Sequence, residues 1–393
     1  MKKPIQFDLN KQITNLEISK IRQFDDQVST FEPLIRLTLG QPDFPTPDHV
    51  KEAAKKAIDS DFSFYTRTAG DIKLREAASA FAAAKYNLSY EPETEVIATV
   101  GATEALATTL FTILNPGDYV LIPSPAFSLY DSLVKMSQSI PVYMDTSGTG
   151  FMVTPELIEE TIRSLDKPPK AIILNYPNNP TGTTWNKAEV EGIAHTLSTY
   201  PQMLVVSDEI YSELVYDDRH ISLGEHLREQ TIVINGLSKS HAMTGWRLGL
   251  IFAPQPISTE LVKTHQSLVT SASTITQFAG IEALTNGQDD ALPMKTAYKK
   301  RRDVLIQTLE KLNLKVTEPK GAFYIFAALP EDIQMSSYDF CYGFAEEYRV
   351  AMIPGDAFGA AGEGYFRISY ASSLEDIKTA MVRLTDYVNK LRE

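Results

Sequence analysis

Seven short apolar runs recur between residues 95 and 253, and most are separated by stretches with helical spacing. They read "EVIATV" (95–100), "YVLIP" (119–123), "IPVYM" (140–144), "AIILNYP" (171–177), "MLVVSDE" (203–209), "TIVING" (231–236) and "LGLIFA" (248–253). Several are continuously apolar and β-branched, the pattern of strands covered on both faces. Between them, "TEALATTLFTIL" (103–114) and "KAEVEGIAHTLSTY" (187–200) place apolar residues at helical spacing. Strands alternating with helices build parallel crossovers. The expected fold class is therefore α/β, with a mostly parallel, seven-stranded, doubly wound sheet.

Past about residue 290 the alternation stops. A charged helical stretch, "LPMKTAYKKRRDVLIQTLEKL" (292–312), leads into "LKVTEP", "AFYIFAAL", a helix near 337–349, "VAMIP", "GYFRISYA" and a C-terminal helix. This reads as a smaller α+β domain. The expected division is an N-terminal segment (1–45) joining the small domain, a large domain (46–290) and the small C-terminal domain (291–393). A chain of 393 residues has room for two such cores.

Net charge is −13, from 37 Lys and Arg against 50 Asp and Glu, which argues against nucleic acid or an anionic membrane as partner. Local basic sites for small anions remain open. The start, "MKKPIQFDLNK", lacks the apolar core of a signal peptide, and no apolar stretch approaches a membrane span, so a cytoplasmic protein is expected. One cysteine, Cys341, and six scattered histidines without ligand spacing give no disulfide framework and no expected metal.

Ligands of open parallel sheets collect at the carboxyl ends of the strands. After "EVIATV", Gly101, Ala102 and Thr103 open a helix whose N–H groups and dipole favour an anion; a tight turn capped by Thr103 fits the same residues. No G-x-G-x-x-G and no Walker lysine is present. After "YVLIP", Phe127 is placed either to stack on a planar ligand or to fill core. "NNPTG" after "AIILNYP" makes a turn, and its two Asn amides, Asn179 among them, also offer hydrogen bonds. Asp208 ends the run "MLVVSD", with Tyr211 three residues on; helix capping competes with a ligand role for this acid.

The last edge segment, "NGLSKSHAMTGWRLG" (235–249), holds Lys239 and Arg247 and no acid. Burying unpaired cations is expensive, so the segment is either exposed or met by an outside anion. A planar, phosphorylated heteroaromatic aldehyde uses the whole edge. Its phosphate neutralises Arg247, Lys239 condenses with it to an imine, and Asp208 keeps a pyridine nitrogen protonated.

These segments, with "LGQPDFPTP" and "YTRTAGDIKLREA", resemble a class I aminotransferase of fold type I, dependent on pyridoxal 5′-phosphate. The resemblance runs from about residue 15 to the C-terminus, with the motifs in the family's order and spacing. It implies that Lys239 is the Schiff-base lysine, Asp208 the partner of the pyridine nitrogen, and Tyr211 and Asn179 the partners of the ring's 3-hydroxyl. Phe127 would stack on the ring, and Gly101, Ala102, Thr103, Ser238 and Arg247 would hold the phosphate. The substrate α-carboxylate falls to Arg367, assisted by Gly40 and Asn179. Tyr65 matches a tyrosine that reaches the neighbouring subunit's phosphate, which implies a homodimer with shared sites.

The sequence departs from the family at three positions. Gly236 stands where many relatives place a serine three residues before the lysine, and Phe127 stands for a Trp or Tyr. Thr103 replaces a lysine of dicarboxylate-specific bacterial relatives. The segments "GLSKSHAMTGWR", "KTHQSLVTSAS", "DDALPMK" and "GAFYIF" look most like aromatic amino acid aminotransferases of lactic acid bacteria and N-acetyl-diaminopimelate aminotransferases. The implied activity is transfer from an aromatic or other apolar L-amino acid to a 2-oxo acid such as 2-oxoglutarate, whose distal carboxylate has Arg22 as a candidate partner. The alternatives are N-acetyl-LL-diaminopimelate aminotransfer, aspartate aminotransfer and a C–S lyase. A ligand-sensing regulator ranks below these, because it needs a DNA-binding module and only a few dozen residues precede the fold.

Overall fold

All seven apolar runs form strands of one sheet. The computed structural model describes residues 7–393; the first six residues of the "MKKPIQFDLNK" start lie outside the described residues. In chain order the strands are β1 (Ile35–Arg36), β2 (Val96–Val100), β3 (Tyr119–Ser124), β4 (Ile140–Asp145), β5 (Ala171–Asn175) and β6 (Leu204–Asp208). There follow β7 (Thr231–Gly236), β8 (Leu248–Phe252), β9 (Tyr324–Ala328), β10 (Val350–Ala351), β11 (Ile353–Pro354) and β12 (Tyr365–Ser369). The large sheet has the order β2-β8-β7-β6-β5-β3-β4 and is mostly parallel, as expected.

Within that sheet β8 is the exception, antiparallel to both β2 and β7. Its reversal has a consequence for the ligand edge. The register pairs Val100 with Leu248 and Gly236 with Gly249, so the amino end of β8 lies beside the carboxyl ends of β2 and β7. Arg247, which precedes β8, therefore arrives at the same edge as Gly101 and Lys239.

The continuous apolar runs are explained by cover on both faces. Val96 and Ala98 of β2 and Val233 of β7 join a core with helices Asp48–Asp59, Ile72–Tyr86 and Thr274–Asn286. Ile97, Ile232 and Ile234 point the other way, into a core with helix Gly101–Ile113. In β5, Ile173 joins that second core, while Ile172 and Leu174 pack with helix Lys187–Ser198. Strict alternation of side chains thus buries every position of β5 and β7 and all of β2 but Val100.

A separate core lies around the antiparallel sheet β11-β12-β9. Phe340 and Phe344 of helix Ser337–Tyr348, Leu384 and Tyr387 of helix Leu374–Arg392, and Tyr298 and Leu305 of helix Ala291–Lys311 fill it. Phe24 and Val28 of helix Lys20–Val28 pack there too, and β1 pairs in parallel with β10. The run "VAMIP" is split between two sheets, and "LKVTEP" makes only the bridge Val316–Ala327. Pro319 closes that segment and has no N–H to extend a ladder. Among the described residues, no helix is long and apolar enough to cross a membrane, and no cluster of metal-ligating side chains occurs.

Packing at the β2–β8 junction is tight enough to test. A Cβ on Gly249 would lie 2.4 Å from the carbonyl carbon of Gly101 and 2.5 Å from Thr99 Oγ1. Gly249→Ala should therefore destabilise the chain by about 1–3 kcal/mol in urea unfolding. Gly245→Ala, where a Cβ meets nothing within 4 Å, should change it by less than about 0.5 kcal/mol. Equal effects of the two would show that the junction is looser than it looks.

Candidate active site

Lys239 sits in a single helical turn, Leu237–Ser240, immediately after β7. Its Nζ donates to the carbonyl oxygen of Gly40 at 2.5 Å and lies 5.8 Å from the ring centre of Tyr211. Burial disfavours the charged ammonium, Arg247 and Arg367 repel it, and Asp208 offsets this only in part. The lysine pKa falls to about 8.

Arg247 adopts a left-handed conformation (φ 57°) and folds back over the start of helix Gly101–Ile113. Nη1 donates to the Thr244 carbonyl at 3.0 Å, and Nη2 lies 3.5 Å from Thr103 Oγ1. Gly101 makes this approach possible. It has φ +74°, and a Cβ there would fall 2.5 Å from Arg247 Nη2. Thr103 does not cap the helix; Glu104 instead accepts the Val100 N–H at 3.0 Å. The first N–H groups of any helix lack partners within it, so Gly101, Ala102 and Thr103 bring donors to the place that Arg247 guards. A Cβ on Gly236 would lie 2.7 Å from the Leu248 carbonyl, so the close approach of β7 and β8 explains glycine where relatives carry serine. Ser238 is buried in the lysine's own turn.

Asp208 ends β6 and is 4% exposed. One carboxylate oxygen, Oδ2, accepts from the Tyr130 hydroxyl at 2.7 Å; the other receives only the Ile210 N–H at 3.3 Å. Of the two readings open for this acid, a helix cap is excluded: the strand runs into a turn. Burial raises its pKa to about 6, although the Tyr130 and Ile210 donors and Lys239 pull it down. Phe127, half-buried, meets Tyr130 edge-on with ring centres 5.8 Å apart.

The two adjacent asparagines separate cleanly. Asn178 serves the turn, accepting from the Thr181 hydroxyl at 2.8 Å and from the Thr181 N–H at 3.2 Å. Asn179 accepts instead from Arg367 Nη1 at 2.8 Å. Arg367 is 2% exposed, its Nη2 donates to the Thr38 carbonyl at 2.7 Å, and Nε has no hydrogen-bond partner. Its guanidinium lies 4.4 Å from the ring centre of Tyr324 and 4.8 Å from that of Phe358. Burial lowers the pKa of this arginine. Tyr211 and Tyr324 share a hydroxyl–hydroxyl bond of 2.9 Å, and burial holds the Tyr211 phenol well above its usual pKa.

Two candidates stand apart. The Tyr65 ring is 84% exposed, and Arg22 is exposed on helix Lys20–Val28. Three contributors escaped sequence reasoning: Tyr130, Tyr324 and the Thr38 carbonyl. Tyr130 follows Phe127 by three residues in "SPAFSLY" and was there to be weighed; a backbone carbonyl carries no signal of its own.

The family model for aminotransferase class I and II matches residues 32–384. The chain belongs to this family. This aminotransferase is 46% identical over 385 residues to the probable N-acetyl-LL-diaminopimelate aminotransferase of Bacillus subtilis, covering 98% of this chain and 97% of that one. It is 38% identical over 389 residues to the aspartate aminotransferase of Pyrococcus horikoshii, covering 98% of each. The solved aromatic aminotransferase of Pyrococcus horikoshii OT3 superposes with a TM-score of 0.87 at 35% identity, over 93% of this chain and 99% of that one. The aminotransferase is accordingly a transaminase dependent on pyridoxal 5′-phosphate.

The depressed lysine pKa has a sign that can be checked. The fold weakens the hold of Lys239 on its proton, from 10.5 to about 8. Below about 8 both folded and unfolded chains are protonated, and the full burial penalty is present. As pH rises towards 10.5 the penalty fades, because the folded lysine has already lost its proton. In cofactor-free protein, Lys239→Met should raise unfolding stability at pH 7 by about 1–3 kcal/mol. That gain should shrink towards pH 10.5; a pH-independent difference would mean that charge is not its cause.

Proposed function

We propose that the aminotransferase moves the amino group of an apolar or aromatic L-amino acid to a 2-oxo acid such as 2-oxoglutarate, with Lys239, Asp208 and Tyr211 as catalytic residues. The residues fit the cofactor. Lys239, Arg247 and Arg367 give their hydrogen bonds to carbonyl, hydroxyl and amide oxygens and none to a carboxylate, which leaves positive charge for a phosphate and a substrate carboxylate. When bound, pyridoxal 5′-phosphate supplies an electron sink for charge developing at the substrate Cα.

In this reading the Gly101–Ala102–Thr103 turn, Ser238 and Arg247 hold the phosphate, and Phe127 covers one face of the ring. Asp208 pairs with the ring nitrogen through the oxygen that Tyr130 leaves free, and Tyr211 and Asn179 bond the ring hydroxyl. Lys239, with a pKa near neutrality, takes and returns the proton at the substrate Cα. Arg367 binds the α-carboxylate with its planar fork, seconded by Gly40 and Asn179.

The observation that carries the substrate class is a shortage of cations. Besides Lys239 itself, the positive charges acting on that lysine are Arg247 and Arg367, and both have assigned anions. Thr103 stands where dicarboxylate-specific relatives carry lysine. A side-chain carboxylate would be desolvated without a partner. An apolar donor side chain meets no such penalty, and Arg22 is the candidate that would partner the acceptor's distal carboxylate. N-acetyl-LL-diaminopimelate transfer is the second reading, favoured by the 46% identity to the Bacillus subtilis protein.

The same proposal includes a homodimer, in which the exposed Tyr65 serves the partner's phosphate, and a cytoplasmic setting that suits a lone buried Cys341. The division at residues 45 and 290 draws support from Leu284 and Met294 packing in different cores, although the core of Met294 also takes in Phe151, Ile210, Tyr211, Leu214 and Tyr216.

Two measurements test it. A donor panel against 2-oxoglutarate should give kcat/KM for phenylalanine at least about tenfold above aspartate. A ratio below one, or a strong preference for N-acetyl-LL-diaminopimelate, would overturn the apolar reading and leave transamination standing. Mixing Tyr65→Phe with Lys239→Ala subunits should restore activity above either parent, because a mixed dimer gathers both defects in one site. No restoration would place Tyr65 within its own chain.

A further inference from the structure

Tyr130 has a role that the site's assignments leave open. Its hydroxyl is 2.7 Å from Asp208 Oδ2, its ring is 2% exposed, and the same ring meets Phe127 edge-on. We infer that Tyr130 is the positioning residue of the ring-nitrogen site, setting both the rotation and the proton affinity of Asp208. The inference rests on the proposed pairing of Asp208 with the ring nitrogen.

Geometry supplies the rotational part. A carboxylate at the end of a strand can turn about its Cβ–Cγ bond unless an oxygen is held. Here Oδ2 is committed to the phenol, whereas Oδ1 has only the 3.3 Å contact from Ile210 N–H. The plane of the acid is thereby fixed, with one oxygen left to accept an incoming N–H. Tyr130 also braces Phe127, so one buried ring orients both the acid and the aromatic face.

The proton-affinity part follows from the charges around the acid. Asp208 faces Glu209, which raises its proton affinity, and Lys239 and the Tyr130 donor, which lower it; Tyr211 is nearby with its phenol neutral. The Tyr130 phenol is itself held far above its usual pKa, first by burial and then by the Asp208 charge, so it remains a donor throughout the working range. Without that donor, burial and Glu209 would be opposed only by Lys239 and the Ile210 N–H, and the proton affinity of Asp208 would rise further. A neutral acid cannot keep a pyridine nitrogen protonated.

The test uses holoenzyme carrying pyridoxal phosphate labelled with 15N in the ring. Tyr130→Phe keeps the ring and its contact with Phe127 but removes the donor. The 15N resonance should move towards the unprotonated value and kcat should fall by about tenfold or more, the factor expected for one unit of proton affinity, with the thermal midpoint little changed. Replacing Tyr130 by 3-fluorotyrosine, a more acidic phenol of nearly the same shape, should move the resonance the opposite way. A change of thermal midpoint without a 15N shift, or no shift in either variant, would overturn the inference. Asp208→Asn separates the two ideas. If it loses activity while the Tyr130 variants change nothing, only the role of Tyr130 fails. If it turns over normally, the pairing of Asp208 with the ring nitrogen fails first.

Discussion

Arg247 and Arg367 both act on Lys239 near the edge of the large sheet, and among the described residues none of the three donates to a carboxylate. Like charges near one another repel, and dehydration adds to the cost; Arg247 stays exposed, so the scaffold bears that cost for part-buried Lys239 and buried Arg367. The central strands of the large sheet are covered on both faces, and those that deliver Lys239 and Asp208 are buried apart from Leu204. The lysine answers by easing its grip on its proton. The arginines cannot, and lean on carbonyl oxygens, on Asn179 and on the faces of aromatic rings. A cleft of this kind stores electrostatic energy that an anionic ligand releases on binding.

The direction of one strand decides whether this is possible. Were β8 parallel to its neighbours, its amino end and Arg247 would lie at the opposite edge, about 16 Å away for a five-residue strand. The reversal lets a single connection, residues 237–247, carry both the lysine turn and the arginine. Glycines at 236 and 249 then let backbone approach backbone at the junction, and glycine at 101 admits the Arg247 guanidinium. The start of helix Gly101–Ile113 and the Arg247 guanidinium therefore meet with little side-chain bulk between them.

Much of this was legible in the sequence. Apolar continuity marked the seven strands, and the rule that ligands sit at strand ends singled out Asp208 and Lys239. The acid-free segment around Lys239 carried a physical signal too: Arg247 resolves it by staying exposed, whereas Lys239 is part-buried without a bonded acid. What stayed hidden depends on three-dimensional partners. Asn178 and Asn179 are chemically equivalent in the chain, and only the fold shows that the first serves the turn and the second accepts from Arg367. Glu104 rather than Thr103 satisfies the end of β2, since helical spacing alone does not say which side chain folds back. Tyr130 read as one more core aromatic until its hydroxyl met Asp208.

The partners of Arg367 are scattered along the chain. Asn179 is 188 residues away and Thr38 is 329 away. All strands of the large sheet, with both Asp208 and Lys239, have been synthesised by residue 252, well before β12 exists. A growing chain therefore carries Asp208 and Lys239 well before it carries Arg367. Contacts so distant in sequence form slowly, though the entropy of closing such long loops grows only with the logarithm of their length. Arg367 and its two partners therefore come together only when the last strand of the small sheet joins residues synthesised 188 and 329 positions earlier.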